Sequence, residues 1–206
     1  MSRFTGPKGK IVRRFKSNIY GNPKYDRLLS KKPNPPGIHG PNQGRKKLSE
    51  YGEQLIEKQK IKYTYGMREK QFRILFSIAS RQKGITGDNL LILLESRLDN
   101  AVFRSGLAAT RDQARQLISH GHLKVNDRKV NVASYRIKEG DKISVKDSVR
   151  SKALIQRMSE ENASRPASEW IAVDKNNLTA EIIRLPIREE IQSPGNEQLV
   201  VELYSK

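Results

Sequence analysis

Apolar residues divide the chain into short amphipathic stretches, and their period changes past the middle. From Leu48 the pattern is helical. Ser49 precedes it, Leu55 and Ile56 anchor it, Glu50 and Glu53 come early, and Lys58, Lys60 and Lys62 come late. That order of charge complements the helix dipole, a structural reason for those lysines that competes with ligand contact. Tyr63, Tyr65 and Gly66 break the run. A second helix is predicted from about Arg68 to Arg81, since Phe72, Leu75, Phe76 and Ala79 share a face while Arg68, Arg73 and Arg81 lie off it. Gly84 and Gly87 close it, and Asp88 or Asn89 can cap the next helix.

Leu91, Leu94, Leu98 and Val102 then recur at spacings of three and four and predict one helix, on which Arg97 and Arg104 share a face. The next helix starts at Thr110, which with Gln113 fits a capping box. Ala114, Leu117 and Ile118 form its apolar side, Arg111 and Arg115 stack one turn apart, and Gly121 suits its end. Beyond Gly121 the period becomes two. Leu123 and Val125, Val130 and Val132, and then Ile137, Ile143 and Val145 alternate with polar neighbours as half-buried strands do. Asn126-Asp127 and Glu139-Gly140-Asp141 supply the turns.

Residues 150–162 predict a further helix with Leu154, Ile155 and Met158 apolar. Two strands come next, around Trp170–Val173 and Leu178–Ile182, with Lys175-Asn176-Asn177 between them. The closing NEQLVVELYSK fits a helix capped by Asn196, and equally a strand in which Leu199, Val201 and Leu203 alternate.

Residues 1–47 follow neither period. They hold six of the nine prolines and six of the 14 glycines. Phe4, Ile11, Val12, Phe15, Ile19 and Tyr20 are too few to bury a core alone. Lys8, Lys10, Arg13, Arg14 and Lys16 form one basic cluster, and Lys31, Lys32, Arg45, Lys46 and Lys47 another, with the prolines keeping the chain between them extended. An arm of this kind, with aromatics among its charges, is expected to order against a partner. The fold class expected is α+β: a basic extended N-terminal arm (1–47), a helical domain (48–89, completed by 186–206), a helix pair with a small antiparallel sheet (90–150), and a helix and strands (151–185) packing on that module.

Charge narrows the function. The chain carries 40 Lys+Arg against 22 Asp+Glu, a net +18. Residues 1–47 hold 13 bases and one acid, residues 48–147 hold 19 and 12, and residues 148–206 hold 8 and 9. Self-repulsion on this scale opposes compaction, so a polyanionic partner is expected. No apolar run reaches the roughly 18–20 residues of a membrane span, and the basic N-terminus lacks the apolar core of a signal peptide. Cysteine is absent and the three histidines (His39, His120, His122) stand without thiolates, which argues against a structural zinc site. A cytoplasmic protein without cofactor or metal is expected. The helix pair and first strand carry Arg97, Arg104, Arg111, Arg115, His120, His122 and Lys124, a rigid basic surface suited to structured RNA. RNA helices are read mainly through phosphates, 2′-hydroxyls and shape.

Several stretches add a resemblance: RFTGPKGKIVRR, PPGIHGP, LSEYGEQLIEKQK, YGMREKQF, LLESRLDN, ATRDQARQLISHGHLKVN and VELYSK. Over essentially its whole length the chain resembles the S-four family of small-subunit ribosomal proteins, bacterial and organellar type. The family implies a structural, primary rRNA-binding protein that nucleates assembly of the 5′ domain of 16S-type rRNA. It also implies a place beside neighbouring ribosomal proteins where mRNA enters, and an influence on translational accuracy. By resemblance, RNA contact is carried onto Arg3, Arg13, Arg14, Arg45, Lys47, Lys58, Lys60, Arg68, Arg73, Arg111, Arg115, His120 and His122. Certain members bind zinc through early cysteines; here the corresponding positions are Gly9 and Val12.

Two other classes fare worse. An RNA-modifying or tRNA-charging enzyme would need catalytic motifs, and no P-loop, nucleophile elbow or HxxEH-type spacing is present. Asp99, Asp112 and Glu95 stand beside arginines, where ion pairing is their expected role. A DNA-binding protein would read bases from a helix start, and SGLAA at 105–109 offers no such start. Neither DNA nor a membrane surface is expected as a partner.

Overall fold

The structure, a computed structural model, describes residues 4–41, 48–162 and 167–205. It separates into two units, Met1–Gly87 with Ser193–Lys206 and Asp88–Gln192.

In the first unit the N-terminal stretch is not the extended arm its proline content suggests. Helix α1 spans Lys8–Phe15 and α2 spans Pro23–Lys31. The reason is local. Pro23 sits at a helix start, where its missing N–H costs nothing, and the Asn22 side chain accepts from Lys24 N–H at 2.9 Å. Lys16 ends α1 in the left-handed conformation (φ 52°). The Pro33–Pro41 stretch lacks regular structure, and Arg13 tethers it by donating to the Asn34 and Pro35 carbonyls at 3.0 and 3.2 Å.

The segment has too little apolar surface to fold alone and packs on α3, Glu50–Thr64. Ile11, Val12 and Ile19 are buried, Phe4 meets the Tyr63 ring edge-on at 5.1 Å, and Thr64 Oγ1 donates to Ile19 O at 3.1 Å. Ser49 caps α3 by accepting from Gly52 N–H. Helix α4, Glu69–Ala79, buries Phe72, Leu75 and Ala79.

The second unit begins within α5, Thr86–Glu95; Asp88 lies in its first turn instead of capping it. The single helix expected through Val102 is two. The chain breaks at Ser96-Arg97 and resumes as α6, Leu98–Arg104. Apolar spacing continues across the break, but the backbone there pairs like an edge strand. Ile137 N–H donates to Ser96 O at 3.0 Å, Leu98 N–H donates to Tyr135 O at 2.8 Å, and Arg97 bridges Arg136. This long-range pairing overrides local helical preference.

Helix α7, Arg111–Ser119, opens as expected: Thr110 Oγ1 accepts from Gln113 N–H at 3.2 Å. The return bond differs by one residue, with Gln113 Oε1 accepting from Ala109 N–H at 2.8 Å. Its end is a Schellman turn, with Gly121 at φ 70°, His122 N–H on Leu117 O and Gly121 N–H on Ile118 O.

Strands β1 (Leu123–Val125), β2 (Arg128–Lys129) and β3 (Lys142–Val145) come next. Asn126 and Asp127 both have positive φ, as a two-residue hairpin requires. The predicted Val130–Val132 strand does not form; pairing stops at Lys129. Helix α8, Val149–Glu161, precedes β4 (Ile171–Asp174) and β5 (Thr179–Ile182), which extend the same sheet. Its order is β2-β1-β3-β5-β4, antiparallel throughout. One continuous core joins Leu98, Val102, Leu117 and Ile118 from the helices to Leu123, Ile143, Ala180 and Ile182 from the strands, with Ile155 of α8.

The last segment is helical: α9, Glu197–Ser205, with Asn196 Oδ1 accepting from Gln198 N–H at 2.9 Å. It returns to the first unit and packs on α3. Val200 is buried, and the Tyr204 ring lies 4.6 Å from that of Phe76.

Candidate nucleic-acid interface

The expected RNA-contacting cations fall into three groups. Arg3, Arg45 and Lys47 lie outside the described residues. A second group is built into the protein. Arg97 makes a bidentate pair with Asp99 (3.0 and 2.9 Å), and Arg115 reaches the same carboxylate at 2.8 Å; all three are buried. Arg104 pairs with the buried Glu95 at 2.8 Å. Arg111 donates to Asn100 Oδ1 at 2.7 Å and lies 4.4 Å above the Phe103 ring. These contacts fix α6 against α7, so the arginines expected to line the grip also hold its frame. Lys60 binds Glu57, Lys124 binds Asp147, and Arg13 serves the Pro33–Pro41 stretch.

Lys58 joins Lys62 and Tyr204 around Glu69, at 2.7, 2.8 and 2.8 Å. Burial alone would push the Glu69 carboxyl up. The hydrogen bonds from Lys58, Lys62 and Tyr204 outweigh it and hold the carboxyl at about 2, while Tyr204 is pushed up by burial and by that bond.

The third group is open. Arg14, Arg68 and Arg73 are exposed and make no ion pair among the described residues. Two basic hollows accompany them, one in each unit. In the first, Lys24, Arg27 and Lys31 repeat at three and four residues along α2 and line a groove of about 590 Å³. In the second, the Schellman turn sets the His120 and His122 rings 6.1 Å apart, and with Lys146, Ser148, Arg150 and Ser151 they line a hollow of about 650 Å³. His122 is anchored by its Nδ1 to Ser151 Oγ at 2.9 Å. Burial, and then the charges of His120, Arg150 and Lys146, hold the His122 imidazole below its ordinary 6.5. Asp147 is the acid nearest this cluster in sequence, and it is taken up by Lys124 and Lys152.

Sequence reasoning singled out the histidines but missed Lys146, Arg150, Lys24 and Arg27. The available signals were a pair of cations four apart around Ser148, and a lysine-arginine-lysine face after an Asn-Pro helix start. Among the described residues there is no group of three or more His, Asp or Glu placed to hold a metal, and no helix long and apolar enough to cross a membrane. The site offers preformed positive charge around the two histidines, which is chemistry for holding phosphates.

Comparison with known proteins agrees over the full length. The family described as Ribosomal protein S4/S9 N-terminal domain matches residues 3–95, and the S4 domain matches residues 96–143. The chain is 50% identical to the small ribosomal subunit protein uS4 of Borrelia duttonii over 207 residues, covering 100% of this chain and 99% of that one. It is 48% identical to that of Akkermansia muciniphila, covering 100% of both. On its sequence, its α+β fold and its S4 domain, the chain belongs to the uS4 family of small ribosomal subunit proteins.

Proposed function

We propose that the protein is a structural, non-enzymatic constituent of the small ribosomal subunit in the cytoplasm. It binds 16S-type rRNA directly, nucleates assembly of the 5′ domain, and supports translational accuracy where mRNA enters, beside neighbouring ribosomal proteins. The observation that carries the RNA reading is the separation of cations into paired and open sets. Acids neutralise those around α6 and α7, while the α2 face, Arg14, Arg68, Arg73 and the histidine hollow stay open. Direct phosphate contact falls on the open set. Arg97, Arg104, Arg111 and Arg115 contribute through the shape of the frame they hold.

Filter binding of the full chain to small-subunit rRNA and to duplex DNA across a salt series tests this. Preference for rRNA is expected, with log affinity falling linearly in log salt at roughly 0.7–0.9 per neutralised phosphate. Equal affinity for both polyanions, or failure to sediment with the small subunit, would overturn the reading.

A further inference from the structure

The histidine hollow has a second chamber. Leu117, Leu154 and Met158, with the Gln113 and Gln116 amides, line a smaller cavity of about 180 Å³ that shares His120, His122 and Leu154 with the basic hollow. One chamber is cationic and the other is apolar-walled with amide edges, and the two histidine rings stand at both. The small chamber lies below the roughly 300–1,000 Å³ of pockets that take drug-sized ligands, so it suits a single ring system. Gln113 is fixed by accepting from Ala109 N–H, which leaves its NH2 donors without a partner among the described residues. Gln116 is exposed and makes no side-chain hydrogen bond among them.

From this pairing we infer that the second unit holds one unstacked ribonucleotide of a bound RNA strand, its base in the small chamber and its phosphate in the basic hollow. Unpaired bases are read by stacking on flat or apolar side chains and by hydrogen bonds to their edges. Leu154 and Met158 supply the apolar wall, His120 and His122 the ring faces, and the two glutamines the edge contacts. Gln113 offers its NH2 donors, and Gln116 presents a donor and an acceptor together, which matches the adjacent donor and acceptor of adenine. His122, Lys146 and Arg150 supply the phosphate contacts. The inference rests on the RNA-binding reading and adds to it a base-contacting site in a protein otherwise expected to read shape and charge.

The test combines two measurements on the full chain. In the first, rRNA affinity is followed against salt for wild type, Arg150→Gln, Met158→Trp (which fills the small chamber) and Gln116→Ala. Gln116→Ala removes an edge contact from an exposed position without changing the charge, and leaves the fold intact if Trp does not. Arg150→Gln should lower the salt slope by about one. Met158→Trp should weaken binding roughly tenfold, the size of one base contact, and Gln116→Ala several-fold, both with the slope unchanged.

In the second, AMP and inorganic phosphate are titrated while the histidine ring and glutamine amide NMR signals are read. AMP should move both sets and phosphate the histidines alone. If AMP and phosphate give the same shifts and neither chamber variant weakens rRNA binding, the base chamber is wrong while rRNA binding stands. If the wild type fails to bind rRNA, the ribosomal reading fails with it. Glutamine shifts with AMP in that case would assign the chamber to a free nucleotide and overturn the strand-bound form.

Discussion

Helices α2 and α7 carry the same device, cations repeated one turn apart, and put it to opposite uses. On α7, Arg111 and Arg115 turn inward to Asn100, Phe103 and Asp99. On α2, Lys24, Arg27 and Lys31 line an open groove. Spacing does not separate the two cases; the supply of acids does. Residues 1–47 contain one acid against 13 bases, while residues 48–147 contain 12 against 19. Where carboxylates are scarce, cations cannot be neutralised from within and remain for an external polyanion.

The sharpest way to break this contrast is Asp99→Ala, which takes from the buried Arg97 and Arg115 the carboxylate they share and leaves Arg115 to Asp112 at 3.7 Å. A loss of about 3–5 kcal/mol is expected in urea melts, and a variant of wild-type stability would show that the pair is dispensable to the frame. Next in size, changing Lys24, Arg27 and Lys31 together to Gln should shift stability by no more than about 0.5 kcal/mol. The same triple change should weaken rRNA binding about tenfold or more and lower the salt slope by about two. Unchanged binding would make α2 an ordinary solvated helix.

Thr110→Ala removes the cap of α7 and should cost about 1 kcal/mol by thermal melt, with the salt slope intact. Glu69→Gln should cost about 1 kcal/mol at neutral pH, discounted because the carboxylate is nearly half exposed. Its carboxyl is held at about 2 against an ordinary 4.5. Its contribution is therefore complete above about pH 4.5 and fades as pH falls towards 2, where variant and wild type should melt alike.

The smallest effect is at His122. Held below 6.5 in the free protein, it favours folding above that pH and opposes it as pH falls. A phosphate in the hollow reverses the preference, so rRNA affinity should rise a few-fold from pH 7.5 to 6, and His122→Gln should flatten that rise. A flat wild-type profile would remove His122 from the interface.

The features legible in the chain were those that neighbours in sequence decide. Thr110 announces the start of α7 and Gly121 its end, because both act on backbone groups within a few residues. Asn126-Asp127 specifies a hairpin for the same reason. The break at Ser96-Arg97 was not legible, since it depends on backbone pairing with residues 135–137, some forty positions on. Ion pairing of Asp99, Asp112 and Glu95 with arginines was legible, but not which arginines it would take up, which is settled by where the acids lie in three dimensions. The histidine hollow needed Arg150, thirty residues past His120, to come round at the start of α8. The Asn-Pro start of α2 was on view but obscured by the prolines beyond it.

Because α9 closes on α3, the first unit owes its completion to the end of the chain, with Asp88–Gln192 made in between. During synthesis at about 5–20 residues per second, the second unit has all its residues before the first does. Nascent protein therefore spends about 1–3 s with one half finished and the other awaiting its final turns. Chains cut short before Val200 would leave α3 without the helix that closes on it, including the Gln54–Glu202 contact.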